Sequence, residues 1–110
     1  MKVIRNSKKV VSERTKAYRQ MGRYYWLIGK QGKALKWWDK SIQEGECLGA
    51  RPNLSRTYFE VGKRLLDHQS KHKKLNGIDG KGYLEKAKAL FEEMDLQRDL
   101  NELDKIILDS

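Results

Sequence analysis

Apolar residues recur along this chain with a helical period. Tyr18, Met21, Gly22 and Tyr25 stand at i, i+3, i+4 and i+7, one face of a helix predicted over 13–28, with Ser12 as its N-cap. Ala34, Trp38 and Ser41 repeat the i, i+4, i+7 spacing over 33–47, and Leu35 and Ile42 widen that stripe. Gly29 and Gly32 lie between the two stripes, where a short connection folds the helices antiparallel. Gly22 is expected to face Ala34 so that the backbones approach closely, with Tyr25 and Trp38 filling the space around them. A third helix over 54–68 carries Tyr58, Val61, Gly62 and Leu65 at the first helix's positions. Pro52 marks a break before it, disfavouring helix at Arg51, and Asn53 is its expected cap.

Regularity lapses over 69–82, which is polar, basic and turn-rich, with Asn76-Gly77 and Asp79-Gly80 and no strand-like alternation. A fourth helix over 83–94 restores Ala87, Phe91 and Met94 at i, i+4, i+7. A fifth, over 97–108, presents Leu100, Leu103, Ile106 and Ile107, with Asp95 or Asp99 as cap. The expected fold is all-α, about five helices in antiparallel hairpins. A basic tail or linker over 1–11 is expected to lead into one domain over 12–110.

Composition narrows the class. The chain is 110 residues long, 38% hydrophobic and 35% charged, enough for one small core. No run approaches the roughly 20 apolar residues that span a bilayer, and no membrane partner is expected. The opening segment lacks the apolar block of a secretory signal, and Cys47 has no intrachain partner for a disulfide. A cytoplasmic location is therefore expected. The net charge of +9 is uneven: 83–110 carries Lys86, Lys88, Arg98 and Lys105 against eight carboxylates, −4, which leaves +13 on 1–82. Such a body could bind polyanions, or pair its ends with each other or with a neighbour.

Two copies of one helical hairpin followed by a single helix is the pattern of a repeat array. The chain resembles the tetratricopeptide repeat (TPR), a hairpin of about 34 residues with the pattern W-x2-L-G-x2-Y…A-x3-F…P. Tyr18, Met21, Gly22, Tyr25, Gly29, Ala34, Trp38 and Ser41 match it in the first copy (15–48), with Glu46 in place of the terminal proline. Tyr58, Val61, Gly62, Leu65, Ala87, Phe91 and Met94 match it in the second (55–96). The second copy departs in its turn: 12 residues separate Gly22 from Ala34 but 25 separate Gly62 from Ala87, an insertion of 13 over 69–82. The helix over 97–108 looks like the capping helix of such a stack. The chain is also similar, over about 15–108, to the C-terminal TPR region of bacterial class III adenylate/guanylate cyclase-type multidomain signalling proteins. No cyclase chemistry is legible in it.

The resemblance implies a protein-interaction module whose first helices line a concave groove, and by register it implies the groove residues. They are Lys16, Arg19, Gln20, Arg23 and Trp26 in the first copy and Arg56, Phe59, Glu60 and Lys63 in the second. A mostly cationic groove suits an acidic or carboxylate-bearing peptide. The same residues also read as ordinary solvated charges of a basic protein. Arg23 and Glu60 replace the asparagines of the dicarboxylate clamp, so such a clamp is not expected. Trp38 is expected in the core, Trp37 against a preceding repeat that this chain lacks, and Trp26 in the groove or at its rim. The exposed edge of the first hairpin would favour self-association.

Other chemistry finds little support. His68 and His72 have i, i+4 spacing, but Lys71, Lys73 and Lys74 crowd them and no third ligand is evident, so no metal site is expected. Cys47 is expected as a small buried filler. Glu92 and Glu93 diverge as helix neighbours, and the glycines of 76–82 do not follow a strand. A non-enzymatic protein without cofactor is the expectation. Nucleic-acid or polyanion binding by the basic body stands as an alternative, as does a structural or dimerisation unit.

Overall fold

A computed structural model of the chain describes residues 8–109. Among them are five helices and one short pair of strands: α1 (Lys8–Leu27), α2 (Gln31–Leu48), α3 (Arg51–Leu66), β1 (Lys74–Leu75), β2 (Ile78–Asp79), α4 (Gly80–Glu93) and α5 (Gln97–Asp109). The fold is all-α, built of antiparallel hairpins. In the first, α1 lies against α2 with Arg14 paired to Glu44, the Ser41 hydroxyl donating to the Thr15 carbonyl, and the Trp38 indole donating to the Arg19 carbonyl at 3.0 Å. In the second, α3 lies against α4, Tyr58 beside Tyr83 and Phe59 edge-on to Phe91. The hairpins stack with α1 and α3 parallel, since Ser12 and Arg19 both reach Asn53 and Arg23 reaches Glu60. α5 closes the far side on Leu103, which is fully buried.

The stripes predicted from periodicity form the core, where Trp38, Val61, Ala34, Ala87 and Phe91 are sealed from solvent. Burial of this apolar surface is the main force holding the hairpins together. Gly22 lies against Trp38: a Cβ there would stand 2.3 Å from the indole nitrogen, so glycine is what admits the ring. In the second hairpin the close approach is between Gly62 and Gly80, where a Cβ on Gly62 would meet the Gly80 carbonyl at 2.8 Å.

Several boundaries differ from expectation. α1 begins by Lys8, so Ser12 lies inside the helix, and Val11 is buried at 1% exposure rather than belonging to a tail. The rest of that proposed tail, 1–7, lies outside the described residues. Helix α3 starts at Arg51 because proline needs no N–H partner in a first turn, and Pro52 sits in that turn. Asn53 is therefore no cap. Its amide donates to the Ser12 hydroxyl at 2.6 Å and its carbonyl oxygen accepts from Arg19.

Segment 69–82 contains a strand pair that periodicity did not predict. Lys74 pairs with Asp79 and Leu75 with Ile78 around Asn76 and Gly77, at φ 55 and 80. Both turn residues are left-handed, as a tight hairpin requires and as Asn-Gly supplies. The hairpin is tied down by Asn76 on Asp39 and by the Tyr83 hydroxyl on the Leu75 carbonyl. Asp79 then caps α4 by accepting from the Gly82 amide at 2.8 Å. Asp95 takes a left-handed φ of 55 before α5, and Asp99 falls in that helix's first turn.

Candidate functional site

The groove residues separate into two groups once their partners are known. Lys16, Arg19, Gln20 and Arg23 share one face of α1, and Arg56, Phe59, Glu60 and Lys63 the matching face of parallel α3. Lys16, Gln20 and Arg23 are exposed; Arg56, Phe59 and Lys63 are half-buried. These side chains share one solvent-facing strip. Arg19 and Trp26 do not belong to it. Trp26 is 8% exposed and stacks on Trp38 at 5.6 Å, so it is core rather than groove or rim. Arg19 is 9% exposed, its Nη1 donating to both the main-chain and side-chain oxygens of Asn53 at 3.2 and 3.1 Å. It joins α1 to α3 beneath the strip.

Charge along the strip is organised by Glu60. Its carboxylate is almost wholly buried and takes Arg23 at 3.0 Å, Arg64 at 2.8 Å and Lys63 at 3.9 Å. Burial alone would raise its pKa. The hydrogen bond from Arg23, the Lys63 charge and the contact with Arg64 together outweigh that and hold it below the ordinary carboxylate range. Arg56 makes a two-pronged contact with Asp99 of α5 at 3.1 and 3.3 Å. Burial, with Arg23 and Arg56 close by, pushes Arg19 down to about 10, and Glu60 and Asp99 offset only part of this. Lys16, Arg19, Arg23, Arg56, Lys63 and Arg64 thus face two carboxylates, both engaged. The surroundings of the strip are net cationic.

Arg64, Asn53 and Asp99 belong to this network and were not foreseen. Arg64 stands four residues after Glu60, a readable helix spacing. Asp99 comes from α5, and no periodicity links it to Arg56.

The remaining candidates lie apart. Trp37 packs on Tyr18 at 5.7 Å with the Lys40 ammonium over both rings, on the outer side of the first hairpin. Cys47 is exposed, not a buried filler, because it falls on the solvent side of the last turn of α2. α3 ends at Leu66, so His68 and His72 share no helix. Among the described residues no three His, Cys, Asp or Glu side chains converge as metal ligands would, and no helix is long and apolar enough to cross a membrane. No protein-family model, curated protein or solved structure matches the chain.

Proposed function

We propose that the chain is a TPR-type interaction module that holds an acidic segment of a partner protein along the shared face of α1 and α3. The reading rests on one observation: parallel α1 and α3 present Lys16, Arg23, Arg56 and Lys63 on a common strip where cations exceed carboxylates. Two stacked hairpins closed by a single helix support the repeat reading, as does burial of Gly22, Ala34, Trp38, Gly62, Ala87 and Phe91 at the signature positions. Phe59, half-buried against Phe91 with Lys63 over its ring, offers an apolar step within the charged strip. A peptide carboxylate here gains charge-assisted hydrogen bonds beside a low-dielectric surface. Arg19 contributes through the field it adds from below.

The direct test is titration of the full chain with a labelled glutamate-rich peptide at low ionic strength. Lys16→Glu/Arg23→Glu/Lys63→Glu should abolish saturable binding while the helical circular dichroism stays. Undiminished binding by a folded variant removes the strip as the site.

A further inference from the structure

We propose that the end of the bundle where α1, α3 and α5 finish is a docking surface for an anionic lipid bilayer. This surface is separate from the strip along α1 and α3 and does not depend on it.

Large apolar side chains are concentrated there. Tyr24, Leu27, Ile28, Leu66 and Ile107 are 44–67% exposed, and of the exposed large hydrophobics among the described residues only Leu48 lies at the opposite end. Contacts fix the grouping. Gln31, just after Ile28, donates to the Gln69 carbonyl at 3.1 Å and accepts from the Lys71 amide at 2.8 Å, which joins the α1–α2 turn to the insertion. Leu66 packs over Gly80 at the start of α4. Leu66, Leu84 and Ile107 then line one cleft of about 400 Å³, with Lys81, Lys88 and Glu85 on its walls.

Exposed cations stand on the segments that meet at this end, the α1–α2 turn, the insertion and the start of α4. Lys30, Lys33, Lys71, Lys73, Lys74 and Lys81 are exposed. Of the nearby acids, Asp67 accepts from the Gln69 amide beside His68 and Asp79 caps α4, while Glu85 stands on the cleft wall with Lys81 and Lys88. Lys71, Lys73 and Lys74 form no ion pair among the described residues. The insertion therefore holds three exposed lysines outside any ion pair, Lys71 and Lys73 ahead of the β1–β2 hairpin and Lys74 on it opposite Asp79, in a segment joined to the α1–α2 turn beside half-exposed apolar side chains.

The combination selects the partner. A nucleic acid satisfies the lysines but leaves Leu27, Ile28, Leu66 and Ile107 in water, and its bases would find Tyr24 as the one exposed ring of the group. An anionic bilayer satisfies both, with headgroups for the ammonium groups and the acyl boundary for the aliphatic tips. Docking is end-on and shallow, with no helix crossing the bilayer. It departs from the sequence expectation of no membrane partner as to surface docking alone, since no helix among the described residues is long and apolar enough to span.

The test is co-sedimentation of the full chain with vesicles of two parts phosphatidylcholine to one part phosphatidylserine, against vesicles of phosphatidylcholine alone. The wild type should pellet with the first and remain in solution with the second. Lys71→Gln/Lys73→Gln/Lys74→Gln should lower partitioning about a hundredfold, from roughly 1 kcal/mol per surface lysine. The same change at Lys9, Lys40 and Arg98, exposed elsewhere, should lower it far less. Leu27→Ser/Ile28→Ser should also release the protein from vesicles while leaving its retention on heparin unchanged. Equal loss from both triplets, or no effect of the serine pair, overturns the proposal in favour of general polyanion attraction. Failure of the wild type to pellet overturns it outright. Loss of the peptide site would leave all these results unaltered.

Discussion

Trp38 and Glu60 show how single side chains set this structure. The Trp38 indole lies over Gly22 and donates to the Arg19 carbonyl, so its position is fixed by shape and by a hydrogen bond together. A methyl group at Gly22 must displace the ring. Gly22→Ala is expected to cost about 2–3 kcal/mol in urea unfolding, and much less in a Trp38→Leu background, where the ring is gone. Glu60 carries a pH dependence. Its folded pKa is depressed, so its contribution is present above the ordinary glutamate value of about 4.3 and is lost as pH falls through the folded value. Glu60→Gln should lower stability near neutral pH by on the order of 2 kcal/mol, discounted because Arg23 is half exposed, and should flatten the acid limb of the stability–pH curve. Chemical denaturation from pH 3 to 7 measures both.

At the scale of elements, the start of α4 depends on one carboxylate. Asp79→Ala removes the acceptor for the Gly82 amide and should cost about 1 kcal/mol, seen as faster amide hydrogen exchange in the first turn of α4. The helices themselves were legible, because each carries an apolar stripe long enough to fix its period and face. What was hidden had no such stripe. The first turns of α1 carry only Val10 and Val11 as apolar residues, and the burial of Val11 goes with the packing of these turns beside α3, where Ser12 meets Asn53. β1 and β2 have two residues each, too short for alternation, although Asn76-Gly77 is a strong hairpin signal in the sequence. Of the candidate strip, the exposed cations followed from register. Trp26 and Arg19 were misplaced because register gives a direction on one helix and cannot tell whether another element covers it.

For the whole molecule, closure depends on α5. Leu103 is sealed from solvent at the end of the stack, and the edge of the second hairpin has no other cover among the described helices. Leu103→Ala is expected to cost about 3 kcal/mol and to promote association at high protein concentration, which sedimentation velocity would detect. Between the two hairpins lies a polar seam. The Ser41 hydroxyl contacts the Thr15 carbonyl at 2.8 Å and the Thr57 hydroxyl at 2.7 Å, and Thr57 in turn contacts the Asn53 carbonyl at 3.1 Å. Each hydroxyl has one hydrogen to give. Three oxygen–oxygen contacts therefore share two protons, and at every instant one contact is bare. With Ser41 donating to Thr15, the single Thr57 proton has two acceptors, the Ser41 oxygen and the Asn53 carbonyl, so the seam between the hairpins admits two proton arrangements over one set of heavy atoms.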